Sequence, residues 1–309
     1  MGRIKFVLAV MLGVCAAFAH AEGTALARMS VTLPGHGARQ PALLADEARE
    51  DSPELRSRAF MIVDQFSGRA LLERNATEVV PIASLTKLMT AMVVLDRHPS
   101  LKDTITISQL DVDTLRHSRS RVPVGTRMTR EQALRLALMS SENRAASALA
   151  RHYPGGMRAF VKAMNAKARL LGMTHTHFAE STGLSAGNVS TARDLVRMVQ
   201  AAAHYPLIRE FSTEEGYALD LGGRTRQFRN TNGLVRDPDW RIGLSKTGYI
   251  KEAGRCLVMQ VWMDDRPLLV VLLDSFGKYT RTADARRLRK WLAERPWERE
   301  LVARKGSTG

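Results

Sequence analysis

The chain has 309 residues, 45% hydrophobic and 6% aromatic, which is enough apolar material for one large domain or two small ones and too much for a disordered chain. Its 46 lysines and arginines against 31 acidic residues leave a formal charge of +15, which suits a nucleic acid, a membrane surface or an acidic polymer and names no reaction. Two cysteines, Cys15 and Cys256, exclude a disulfide-rich scaffold.

Arg3 and Lys5 precede an apolar run from Phe6 to Phe18, and Ala19-His20-Ala21 then supplies the small-x-small pattern of a cleavage site. Residues 1–21 therefore read as a cleavable export signal, since the run falls short of the roughly 20 residues of a stable membrane span. Bulky Val14 before Cys15 makes a poor lipidation site. Removal of this segment leaves Cys256 alone, in the apolar run Cys256-Leu257-Val258-Met259, where a buried core thiol is expected. Residues 22–56 mix Gly, Pro, Ala, Arg and Glu without a period and read as a flexible leader.

Ala59–Asp64 and Arg69–Glu73, joined by Gln65-Phe66-Ser67-Gly68, predict a hairpin. From Ser84 the period becomes helical: Leu85, Leu88, Met89, Met92 and Val93 mark an apolar stripe, with Ser84, Lys87 and Ala91 on another face. Thr129 and Gln132 form a capping box before a helix ending near Ser141. Met157 to Leu171 predicts a helix stopped by Gly172, and Thr191 to Ala203 another, stopped by Tyr205-Pro206. Three late apolar runs, Ile242–Tyr249, Arg255–Met263 and Pro267–Asp274, read as strands, and Tyr279–Ala293 as a closing helix. Early and late strands around a helical middle imply one α/β domain over 57–295, with a sheet drawn from both ends, a mostly helical lobe and a cleft between them. Residues 296–309 are left as a short charged tail.

Three segments carry chemistry. Ser84 and Lys87 lie three residues apart at a helix start, so a neutral lysine there reaches the serine proton, provided its usual pKa of about 10.4 is lowered by burial or by a cation such as Lys246. The helix start directs backbone N–H groups at a developing oxyanion, Tyr249 offers an opposing N–H from an edge strand, and Gly248 lets a substrate backbone approach. Read singly, Ser84-Leu85-Thr86-Lys87 is also a helix cap with a surface lysine, Ser141-Glu142-Asn143 a turn, and Lys246-Thr247-Gly248 a strand end. Their order and contexts join them into the parts of a serine acyl-enzyme.

These segments resemble the Ser-x-x-Lys, Ser-Asp-Asn and Lys-Thr-Gly motifs of the penicillin-recognising serine peptidases and β-lactamases. Met139 to Ala146, Ser190 to Leu195 and Lys246 to Ile250 further resemble low-molecular-weight D-alanyl-D-alanine endopeptidases of the bacterial periplasm. The resemblance implies the DD-peptidase fold, an antiparallel sheet of N- and C-terminal strands flanked by helices. It implies Ser84 as acylated nucleophile, Lys87 as general base and Ser141 as proton relay, with Asn143 on the substrate amide or on Lys87. Lys246 and Thr247 would orient a substrate carboxyl end. The implied substrate is peptidoglycan, cut at D-Ala–diaminopimelate cross-links or, alternatively, at a terminal D-alanine, with β-lactams as covalent inhibitors and no cofactor or metal. A stalled, wall-binding or β-lactam-sensing module keeps the same fold. About fifteen residues follow Ala293, so no stable membrane anchor is expected, and export implies the periplasm.

A β-lactamase needs a second base. Glu180 is a candidate, yet Leu184 stands where a class A enzyme has an asparagine, so Glu180 reads as a loop residue near the cleft and Glu142 as a solvent-facing turn carboxylate. His175 and His177 lack further ligands for zinc, and Asp111 and Asp113 lack the oxygens of a calcium loop. Arg116, His117, Arg119 and Arg121 read as a solvated basic face that meets the anionic wall polymer, and export with no interleaved aromatics argues against nucleic acid.

Overall fold

The structure is a computed structural model that describes residues 52–263 and 265–294. The predicted signal, nearly all of the leader and the charged tail lie outside the described residues. Strand β1 (Ser57–Asp64) turns at residues 65–68 into β2 (Ala70–Arg74), and β3 (Val80–Pro81) leads through a 3-10 turn at Ala83–Leu85 into helix α1 (Thr86–Leu95). A small ribbon of β4 (Thr104–Thr106) and β5 (Arg127–Thr129) precedes α2 (Arg130–Met139), α3 (Asn143–Arg151) and α4 (Gly156–Leu170). Then come β6 (Val189–Ser190), α5 (Ala192–Ala202), α6 (Pro206–Thr213) and the hairpin of β7 (Gly216–Asp220) with β8 (Thr225–Arg229). Long strands β9 (Arg241–Ile250), β10 (Gly254–Met263) and β11 (Arg266–Ser275) and helix α7 (Thr280–Ala293) close the fold.

The main sheet is antiparallel in the order β2-β1-β11-β10-β9, so the last strand pairs with the first, as the sequence predicts. β1, β10 and β11 read as continuous apolar runs because both their faces are covered. One face, with Ala59, Met61, Val258, Val271 and Leu273, joins the core of the helical layer. The other, with Phe60, Ile62, Leu257, Val270 and Leu272, packs on Ala285, Leu288 and Leu292 of α7. β9 is left at an edge, with its residues 246–248 paired to Cys256–Val258.

Helix α1 is buried well beyond its apolar stripe: every residue from Thr86 to Val94 is enclosed, because α3, α4 and α5 surround it. The face that carries Lys87 is turned into the site. Tyr205-Pro206 does not simply end a helix. Pro206 opens α6 at the first helical position, where a missing N–H costs nothing. Among the described residues no helix is long and apolar enough to cross a membrane.

Candidate active site

The turn before Ser84 is where three parts of the chain converge. β3 pairs with β6, and the Ile82 N–H donates to the Asn188 carbonyl at 3.0 Å, tying the turn to the loop at residues 178–188. Ala83 then takes a left-handed φ of +49°, an unfavourable value for a residue with a Cβ. Two glycines hold it there. A Cβ on Gly183 would stand 1.9 Å from the Ala83 carbonyl oxygen, and one on Gly248 would stand 2.9 Å from that of Ile82 and 3.1 Å from the Ser84 nitrogen. The space spared by Gly248, assigned above to substrate, is filled by this turn, and Gly183 carries no motif that would have marked it.

Ser84 thereby sits in the 3-10 turn that leads into α1, three residues ahead of Lys87, and the two side chains meet: Lys87 Nζ lies 2.9 Å from Ser84 Oγ. The same nitrogen reaches Asn143 Oδ1 at 2.8 Å and the Thr182 carbonyl at 2.6 Å. Those last two oxygens only accept, so in the neutral amine they take its two N–H groups and leave the lone pair facing the serine. Asn143 is oriented for this by donating its Nδ2 to Ser118 Oγ at 3.0 Å. Burial pushes the Lys87 ammonium down to about 8, against an opposing pull from the Glu180 and Glu142 carboxylates.

The opposite wall is the β9 edge. Lys246 Nζ donates to Ser141 Oγ and to the Thr247 carbonyl, both at 2.9 Å, and burial lowers it well below the ordinary lysine range, with the charges of Lys87 and Arg281 adding to the effect. Ser141 holds a left-handed φ of +59° between α2 and α3, a sharp corner that turns its hydroxyl to β9. Thr247 Oγ1 bonds Thr231 Oγ1 at 2.6 Å. Tyr249 is 56% exposed at the rim, its ring under the Arg255 guanidinium.

A cleft of about 560 Å³ lies between the walls, lined by Ser84, Ser141, Asn143, Thr247, Gly248 and Tyr249, with Lys87 and Lys246 bonded just behind its surface. All eight predicted site residues therefore meet at one place. Sequence reasoning missed Ser118, Thr231 and Arg281, which also line it. Arg281 donates to the Gly248 carbonyl at 3.0 Å, and burial lowers its guanidinium to about 10. Arg116 belongs to the cleft as well, pairing with Glu252 at 2.8 Å and donating to the Leu184 carbonyl, whereas Arg119 and His117 are exposed as expected.

One reading changes, and the others hold. Glu142 is buried, not solvent-facing: it caps α3 by accepting from the Arg144 N–H at 3.2 Å and takes the Ser120 hydroxyl at 2.7 Å. Asp111 is a buried partner of Arg151 at 2.7 Å, and His175 and His177 are exposed. Cys256 is core, its thiol pushed up to about 11 by burial.

The family model described as D-alanyl-D-alanine carboxypeptidase matches residues 46–277. The chain belongs to this family. Within the family it is 52% identical over 241 residues to a D-alanyl-D-alanine endopeptidase of Pseudomonas aeruginosa, covering 77% of this chain and 78% of the relative. It is 48% identical over 242 residues to a D-alanyl-D-alanine endopeptidase of Escherichia coli, covering 78% of each. Among solved structures, a Streptomyces DD-transpeptidase superposes with a TM-score of 0.72 at 27% identity, over 78% of this chain and 98% of that one.

Proposed function

We propose that this member of the D-alanyl-D-alanine carboxypeptidase family is a serine endopeptidase that hydrolyses D-alanyl–diaminopimelate cross-links of peptidoglycan and is acylated by β-lactams. The observation that carries this reading is the Lys87 amine, buried, held by two pure acceptors and aimed at Ser84 Oγ. Ser84 Oγ attacks the D-alanyl carbonyl while its proton passes to Lys87 Nζ, and the oxyanion meets the N–H groups of Ser84 and Tyr249. A proton then reaches the leaving amine through Ser141, the C–N bond breaks, and water hydrolyses the ester to regenerate the serine. Lys246, Thr247 and Arg281 give the cleft a cationic, hydroxyl-bearing wall suited to a carboxylate.

The endopeptidase names of the two relatives favour cross-links as substrate. Trimming of terminal D-alanine is the second reading, favoured by the Arg281 cation, which suits a free carboxyl end. Efficient β-lactam hydrolysis is disfavoured because both Glu180 oxygens are occupied by loop donors and Glu180 does not line the cleft. The deciding experiment digests cross-linked muropeptides with the purified chain and weighs the products. Loss of dimers is expected, and Ser84→Ala should leave them intact. Loss of terminal D-alanine with dimers untouched would replace the first reading by the second, and stoichiometric acylation without product would make the chain a binding module.

The place of action we propose is the periplasm, with residues 1–21 removed and the basic surface around Arg119 and Arg121 against the anionic wall. A tagged chain should be released with periplasmic contents without detergent. Retention of the unprocessed chain in the cytoplasm would overturn this.

A further inference from the structure

Glu180 touches neither the cleft nor Lys87, yet its carboxylate organises the loop that does. Oε2 accepts from the Thr182 N–H at 2.6 Å and the Thr182 hydroxyl at 2.5 Å. Oε1 accepts from the N–H groups of Gly183 at 2.7 Å and Ser185 at 3.3 Å, and from Asn188 Nδ2 at 3.1 Å. Buried Asn188 braces the loop from behind: its Oδ1 accepts from the Ala179 and Glu180 N–H groups, and its Nδ2 also donates to Thr86 Oγ1 on α1 at 2.9 Å. The clamped segment makes two catalytic contacts. Thr182 presents its carbonyl to Lys87 Nζ, and Gly183 presses against the Ala83 carbonyl just before the nucleophile.

We propose that Glu180 is a positioning residue for acyl transfer, which fixes the Thr182 carbonyl on Lys87 and the Gly183 backbone on the Ser84 turn. This rests on Ser84 and Lys87 acting as nucleophile and base. A neutral Lys87 points its lone pair at Ser84 only while both other positions on nitrogen are bound, and release of the Thr182 carbonyl lets the amine rotate away. The carboxylate also acts through its charge. Glu180 from this loop and Glu142 from the start of α3 both favour the Lys87 ammonium. Lys246 on β9 and Arg116, anchored on Leu184, are the facing cations. Loss of the Glu180 charge therefore makes Lys87 easier to deprotonate even as it loosens its aim.

The test is the second-order rate of acylation by a fluorescent penicillin across pH 5.5 to 9, for wild type, Glu180→Gln, Glu180→Asp and Glu180→Ala, with thermal unfolding of each. Wild-type acylation that disappears in Ser84→Ala checks the underlying chemistry separately; an unlabelled wild type would overturn that chemistry and the proposal with it. Glu180→Gln should remain folded, acylate at least about tenfold more slowly at pH 8, and shift the midpoint of its acid limb down by about half a pH unit. Glu180→Asp, which keeps the charge, should hold the wild-type midpoint and recover part of the rate. Wild-type rate and midpoint in Glu180→Gln would overturn the proposal. So would a rate loss that follows unfolding temperature across the three variants with no midpoint change.

Discussion

Lys87 on helix α1 and Lys246 on edge strand β9 are both buried at one cleft, yet Lys87 meets three uncharged oxygens with two carboxylates in range, whereas Lys246 meets a hydroxyl and a carbonyl with two cations in range. Burial alone weakens the hold of either amine on its proton. The carboxylates keep Lys87 from falling far, so it ends near 8, poised to take a proton and return it. Burial lowers Lys246, with the charges of Lys87 and Arg281 adding to the effect, so an incoming carboxylate would supply what that lysine lacks, a counter-charge. The difference suits the one amine to the role of base and the other to that of anion receptor in the acyl transfer proposed above.

Removing the base should break the comparison most completely: Lys87→Ala should slow acylation by roughly 10³-fold, read by penicillin labelling, with Ser84 still present. Lys246→Met should cost about 10²-fold and leave the acid limb of the pH profile in place, because burial rather than Lys246 sets the Lys87 value. A moved limb would show that the Lys246 charge, and not burial alone, sets the value of Lys87. In the wild type, the lowered Lys87 is protonated below about 8 and cannot accept there. Acylation should therefore fall about tenfold for each pH unit below 7 and level off above 8, and a rate constant down to pH 5 would exclude the amine as base. Least in size, Glu142→Ala removes the α3 cap and should lower stability by about 1 kcal/mol in urea unfolding, with a small downward shift of the acid limb.

The sheet and most helices were legible because their cues are local. The strands β9, β10 and β11 differ from the expected runs by at most one residue at either end, and the Thr129–Gln132 capping box forms with both its bonds, at 2.8 and 3.1 Å. The three motifs were legible for a different reason, since order and context supplied what no single triplet does. What escaped were consequences of enclosure. Glu142 looked exposed because a turn carboxylate usually is, but the Ser120 hydroxyl and the α3 N-terminus give it reasons to be buried. Arg281 lay within a helix predicted only as a closing element, and nothing along the chain marks it as reaching under Gly248. The β7–β8 hairpin carried its signal in Gly222-Gly223 between alternating runs, a cue that sequence reading left unused.

Because α1 is covered on every side by helices and sheet, its catalytic turn has no independent existence. Covalent labelling of Ser84 is therefore a gauge of the whole architecture. Fractional labelling along a denaturant series should retrace the fall in circular dichroism, and a truncated piece of the chain should take up no drug at all.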